Sequence, residues 1–156
     1  MVHIALIQPQ IPPNTGNIAR TCAATQTPLH LVGPLGFEIS DRQLKRAGLD
    51  YWPHVNLACH DSIATFHHQH PPHHQRWIGF STAGQQNYID FSFQATDILL
   101  FGRETSGLPP EALAHCSELV YIPMSQAHVR SLNLSVSVAI ALFEARRQLG
   151  QLNSDL

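Results

Sequence analysis

Short apolar runs and helix-patterned segments take turns along this chain, and that alternation constrains the fold more than any other feature. The strand-like runs are Val2 to Gln8, Leu29 to Val32, Val55 to Ala58, Trp77 to Ser81, Ile98 to Phe101 and Glu118 to Ile122. Their shortness and their apolar character are those of strands buried on both faces of a sheet. Ile11-Pro12-Pro13 breaks the first run, and Asn14 offers an N-cap for a helix continuing through Ala24. Further helices are predicted from Asp41 to Ala47, ending near Gly48, and from Asp61 to His67 with Asp61 or Ser62 as cap. Pro110 to His115 reads as a short helix between the last two strands. Strand followed by helix, repeated, predicts an α/β fold: a mostly parallel sheet flanked by helices.

The final helix has the clearest pattern. Leu134, Val138, Ala141, Leu142, Ala145 and Leu149 recur at helical spacing, and Val136, Ile140 and Phe143 form a second apolar face. A helix this broadly apolar packs on its own sheet and on something else, such as a second subunit. The 156 residues suit a single domain over 1–156. With 44% hydrophobic and 13% charged residues the chain can bury a sizeable core, and the low charge fits a further buried interface.

Several function classes are disfavoured. The N-terminus enters a strand pattern without a signal peptide's basic start, and no apolar run approaches the roughly 20 residues of a membrane span. A cytoplasmic, non-membrane protein is expected. Cys22, Cys59 and Cys116 are scattered and odd in number, as expected of buried thiols rather than a zinc or disulfide framework. Gly33-Pro34-Leu35-Gly36 does not fit the dinucleotide fingerprint, and no phosphate-binding P-loop or nucleophile elbow occurs. The run His67-His68-Gln69-His70-Pro71-Pro72-His73-His74 reads as a surface loop. Its prolines disrupt helical pairing and no carboxylate or cysteine completes a site, so no metal is expected. A net charge of −2 excludes a protein coated in positive charge, but leaves room for a local basic patch that binds RNA.

Four segments carry more than scaffolding requires. Asn14-Thr15-Gly16-Asn17-Ile18-Ala19-Arg20-Thr21 lies between strand and helix, at the sheet edge where α/β ligands bind. Arg20 can grip a phosphate bidentately there, or it is a surface arginine on a capped helix. Phe101-Gly102-Arg103-Glu104-Thr105-Ser106-Gly107-Leu108-Pro109 has two glycines framing a charged pair, so backbone groups can face a ligand. An ordinary strand-to-helix turn is the alternative. Ile122-Pro123-Met124 leads through a loop to Ser131-Leu132-Asn133-Leu134-Ser135. Small polar residues there either cap the long helix or present its amides to a polar ligand.

In that order the segments resemble the three motifs of the SPOUT class of RNA methyltransferases. The likeness is nearest to the YibK-type subfamily, which methylates the ribose 2′-hydroxyl of the tRNA wobble nucleotide. Arg46-Ala47-Gly48-Leu49-Asp50-Tyr51 adds to the likeness, which spans nearly the whole chain. The resemblance implies a SPOUT fold with a C-terminal trefoil knot, a homodimer, and S-adenosylmethionine as cofactor. It implies cofactor contacts from Phe80, Gly102, Glu104, Gly107, Ile122, Ser131 and Leu132. It places Arg20, Ser131 and Asn133 at the reacting centre. RNA contacts are expected from Asn14, Arg20, Arg46, Arg103 and Arg130, with Arg42 and Lys45 nearby, on a tRNA anticodon stem-loop bearing cytidine or a modified uridine. The loop from Ser125 to Arg130 is about one residue longer than the motif leads one to expect, which blurs the equivalence of Arg130. Three other functions fit less of the pattern: methylation of another tRNA or rRNA nucleotide, a non-catalytic RNA-binding module, and metal binding through the histidine run.

Overall fold

The computed structural model describes residues 1–40 and 42–152. Strands and helices alternate as β1 (His3–Ile7), α1 (Pro12–Ala24), β2 (Leu29–Val32), α2 (Arg42–Gly48), a 3-10 turn (Leu49–His54), β3 (Leu57–His60), α3 (Ile63–Gln69), β4 (Trp77–Phe80), β5 (Gln86–Asn87), β6 (Ile98–Phe101), α4 (Pro110–Leu113), β7 (Glu118–Tyr121) and α5 (Leu134–Gln148). The strands form one sheet in the order β3-β2-β1-β6-β4-β7-β5, and every neighbouring pair is parallel. The α/β expectation therefore holds; the inner strands β1, β2, β4 and β6 are buried almost throughout, while β3 at the edge and β7 next to the short β5 are only partly buried.

The two faces of the sheet are covered separately. On one face α1 and α5 lie over Ile4, Leu6, Leu29, Leu31, Ile78, Leu99 and Phe101. On the other, Ile63 and Phe66 of α3 and Ala112 of α4 pack on Ala5, Ile7, Val32, Trp77, Ile98 and Leu100. Strand alternation sorts the residues: neighbours in sequence go to opposite faces. Each fully buried large side chain contributes roughly 1.5–3 kcal/mol through removal from water. Arg146 of α5 donates to the Thr25 carbonyl at 2.9 Å, and so pins α5 to the end of α1. Asp97, with no exposed surface, is held bidentately by Arg76 at 2.8 and 2.7 Å.

The larger differences from the sequence reading lie at α1, the third strand and β5. The helix α1 starts at Pro12, not after Asn14; the two prolines occupy its first turn, where no amide donor is needed. Its cap position is Ile11, whose side chain caps nothing, and the Asn14 side chain is free for another contact. The third strand is Leu57–His60, two residues later than expected, because the chain from Leu49 to His54 coils into a 3-10 turn closed by Val55 N–H on the Trp52 carbonyl. The strand β5 carries no apolar signal: Gln86 and Asn87 pair only with the outer side of β7. Asp41, expected to open the second helix, lies outside the described residues. The thiols also differ: Cys22 is buried, but Cys59 is exposed. Among the described residues, no helix is long and apolar enough to cross a membrane.

Along α5 the buried residues are Val138, Ala141, Leu142 and Ala145. Val136 and Phe143 on the second apolar face are 46% and 47% exposed, so this chain alone leaves that face uncovered.

Candidate functional site

Strands β6, β4 and β7 are neighbours in the sheet and run in the same direction, so their carboxyl ends lie side by side. The chain leaves them through residues 81–84, 102–108 and 122–133. These three loops converge on a cleft of about 500 Å³, a size typical of small-ligand sites. Phe80, Gly102, Gly107, Ile122, Ser131 and Leu132 all line it. Six residues singled out in the sequence for cofactor contact, from four separate segments, thus meet in one place. Arg103 and Arg130 line it as well.

Two glycines shape the cleft for different reasons. A Cβ on Gly102 would sit 2.0 Å from the Gly107 carbonyl carbon and 2.1 Å from the Leu108 nitrogen, so the loop closes on itself only without a side chain. Gly107 has φ +73°, a left-handed conformation, and a Cβ there would meet nothing within 4 Å. Its bare backbone faces the open cleft. An antiparallel bridge between Arg103 and Gly107 fixes the loop, with reciprocal N–H to carbonyl bonds of 3.0 and 2.9 Å. Beneath, Phe80 stacks on Phe101 with ring centres 4.8 Å apart, and Leu108, Leu134 and Met124 extend the apolar wall.

The charged residues of this loop turn toward the segment before α1. Glu104 accepts from the backbone N–H groups of Gln10 and Ile11 at 2.9 and 3.0 Å. The negative carboxylate thus sits at the N-terminus of α1, where the helix dipole favours it. Thr105 donates to Gln10 Oε1 at 2.8 Å, and Arg103 Nη2 donates to Gln8 Oε1. Glu104 does not line the cleft; it joins the first motif to the second, a role the cofactor expectation did not contain. Gln8 and Gln10 are partners that sequence reasoning missed. Gln8 has φ 54°, in the left-handed region, at the end of β1.

Asn133 caps α5, its Oδ1 accepting from Ser135 N–H at 2.9 Å, while its Nδ2 donates to Asn14 Oδ1 at 3.0 Å. The first and last motifs are thereby joined at the mouth of the site, although Asn133 itself does not line the cleft. Arg20 lies further along α1, its guanidinium carbon 5.1 Å from the centre of the Tyr51 ring, beside Ala23, Ala24 and His54. Arg20 and Arg46 are both exposed and neither lines the cleft. Also missed were Ser81, Thr82 and Ala83, which form one wall; small polar residues just past an apolar strand were the available signal. Cys22 and Cys116 supply no nucleophile: burial pushes both thiols up to about 12.

Comparison with known proteins places this geometry among enzymes. Residues 1–143 match the family model described as the SpoU rRNA Methylase family. A Synechocystis sp. protein named for tRNA (cytidine(34)-2′-O)-methyltransferase activity is 57% identical over 97% of this chain and 99% of its own. A solved structure reported for 2-OH methylation of C/U34 on tRNA superposes with TM-score 0.91 at 51% identity, covering 96% of this chain and 97% of the other. An AdoMet-bound rRNA methyltransferase from Sinorhizobium meliloti superposes with TM-score 0.84 at 28% identity, over 95% of this chain and 56% of its own.

Proposed function

We propose, from the premise that this chain belongs to the SpoU rRNA Methylase family, a function that its cleft and its relatives support together. It is a tRNA 2′-O-methyltransferase, moving a methyl group from S-adenosylmethionine to the ribose of the wobble nucleotide, cytidine or uridine. The observation that carries the cofactor's place is the convergence of Gly102, the left-handed Gly107, Ile122, Ser131 and Leu132 on one cleft. An apolar wall of Phe80, Leu108, Ile122, Leu132 and Leu134 suits the adenine and the methylene chain, and the backbone at Gly102, Gly107 and Leu132 suits their polar edges.

The cofactor supplies an electrophilic methyl carbon on a sulfonium that leaves as a neutral thioether. The protein has two tasks: to hold the ribose hydroxyl in line with that carbon, and to ease loss of its proton. Ser131 lines the cleft and Asn133 stands beside it at the start of α5, so both suit the ribose side of the reaction. Guanidinium stays protonated in proteins, so Arg20 acts as a clamp on a phosphate or a developing oxyanion, not as a base. A substrate phosphate or water then takes the proton. Arg130 at the cleft, with Arg20 and Arg46 on the exposed rim, would grip the backbone of an anticodon stem-loop. Arg103, held by Gln8, contributes its charge to the same edge.

A homodimer completes this picture. Val136 and Phe143 are exposed large apolar residues on a helix that is otherwise packed, which fits a self-complementary interface. Such pairing would bring one protomer's Arg20 toward its partner's cleft.

The deciding experiment transfers labelled methyl from S-adenosylmethionine to total tRNA lacking the wobble modification, with nuclease mapping of the product. Label on the wobble 2′-oxygen is expected. Label elsewhere would keep the chemistry and overturn the substrate; no label together with no cofactor binding would favour a non-catalytic RNA-binding module.

A further inference from the structure

Away from the cleft, on the sheet face covered by α3, four histidines from distant parts of the chain converge. His3 is on β1, His30 on β2, His60 ends β3, and His70 follows α3. His30 and His60 are 4% and 6% exposed. Their facing nitrogens, His30 Nδ1 and His60 Nε2, are 3.0 Å apart. The His70 ring centre is 4.7 Å from that of His30 and 5.7 Å from that of His60, and Phe66 walls the group on one side. One ring nitrogen from each of His30, His60 and His70 falls within 4.8 Å of the others.

The outward nitrogens are arranged as well. His30 Nε2 lies 2.9 Å from His3 Nδ1, and His70 Nδ1 lies 2.8 Å from Gln75 Oε1. Imidazoles that bind metal donate their far N–H to such acceptors, which fixes the tautomer and aims the near lone pair. Buried polar atoms are normally satisfied, yet His60 Nδ1 is buried without a partner. The Gln69 side chain is close enough to favour the charged form of His60, but no hydrogen bond of normal geometry reaches that Nδ1.

We propose that His30, His60 and His70 form a three-imidazole site for a first-row divalent cation of the zinc type, with water as fourth ligand and His3 and Gln75 orienting the ligands from behind. With zinc-to-nitrogen bonds of about 2.0–2.1 Å, tetrahedral geometry separates neighbouring donors by about 3.3–3.4 Å. The His30–His60 pair is already near that spacing. His70, on the half-exposed loop after α3, closes the remaining distance by side-chain rotation. None of these residues lines the cleft, so the ion would join β2, β3 and the loop after α3 without entering methyl transfer. The histidine run thus matters through His70 alone, with partners that sequence spacing could not supply.

The test is zinc titration of the metal-stripped full chain, carrying no affinity tag, against a chromophoric competitor, with thermal unfolding alongside. One zinc per chain and a zinc-dependent rise in Tm are expected. His70→Ala should weaken binding at least about 100-fold, and Gln75→Ala about 10- to 100-fold. Both positions are on the surface side of the cluster, so both variants should fold. His73→Ala with His74→Ala should change nothing. Absence of stoichiometric binding would overturn the proposal and leave a plain chain of hydrogen-bonded neutral imidazoles. So would binding that survives His70→Ala, or that is lost with His73 and His74.

Discussion

Asn133 Nδ2 donates to Asn14 Oδ1 across 3.0 Å, joining residues 119 positions apart in sequence. The same side chain accepts from the amide of Ser135, the second residue of α5, through its oxygen. Asn133 therefore sets both the start of the last helix and its distance from α1. Two substitutions separate these roles. Asn133→Ala should cost about 1 kcal/mol of stability through the lost cap. Asn133→Ser keeps a capping oxygen but is too short to reach Asn14, so stability should stay within about 0.5 kcal/mol of the parent. Methyl transfer should fall in both variants. Denaturant unfolding and a single-turnover methylation assay check the pair; a fully active Asn133→Ser would show that the link to Asn14 has no part in the reaction.

Gly102 and Gly107 should fail differently. Gly102→Ala drives a methyl group into the Gly107 and Leu108 backbone, so the loop must open. A loss of about 3 kcal/mol in stability, with cofactor binding abolished, is expected. Gly107→Ala meets no atom but must adopt φ +73°, which costs about 1–2 kcal/mol. It should fold, and bind cofactor weakly, because the strained residue lines the cleft. Calorimetric titration with S-adenosylmethionine distinguishes the two.

Arg20 lies on α1 against Tyr51, apart from the cleft of its own chain. Arg20→Ala should leave cofactor affinity unchanged and cut methyl transfer steeply. The variant should also flatten the fall of log tRNA affinity with log salt by about one phosphate contact. Loss of cofactor binding would instead place Arg20 in the cofactor's site.

The uncovered face of α5 predicts the assembly. Phe143→Glu puts a charge where an apolar contact is expected, at a position that is 47% exposed in the single chain. The variant chain should therefore stay folded while sedimenting as a monomer. A parent protein that is itself monomeric would refute the interface.

Acid should weaken the fold through the histidine cluster when a chelator is present. Burial, and then the charge of His70, lowers the pKa of His30 to about 3; His3 and His60 are lowered for the same leading reason. In the unfolded chain these groups bind protons near pH 6.5, so below that the unfolded state takes up protons that the folded state refuses. The contribution is complete above about pH 6.5 and is lost as pH falls toward the folded values. Urea midpoints should drop between about pH 7 and pH 5, and His30→Leu should reduce that slope.

The residues alone determined a good deal. Apolar runs such as Ile98–Phe101 and Trp77–Phe80 could only be buried strands, and the helical spacing of Val138, Ala141, Leu142 and Ala145 could only be a packed helix. The Gly102–Gly107 loop and the small polar residues around Ser131 stood out as ligand-facing from the residues themselves, whereas Phe80, Ile122 and Leu132 followed from the family resemblance alone. Polar side chains were less legible, since their partners are distant in sequence and either of two roles fits the same residue type. Asn14 looked like a cap and is instead the acceptor for Asn133; Glu104 looked like a cofactor contact and instead holds the amides of Gln10 and Ile11. The short strand at Gln86 and Asn87 had no apolar pattern because a sheet edge needs none. The histidines show the difference most plainly. Sequence displayed a run from His67 to His74 and saw a surface loop; parallel register then placed His30 beside β1 and β3, within reach of His60 and His70. Periodicity fixes which face a residue occupies, but only the order in which strands pair decides which faces meet.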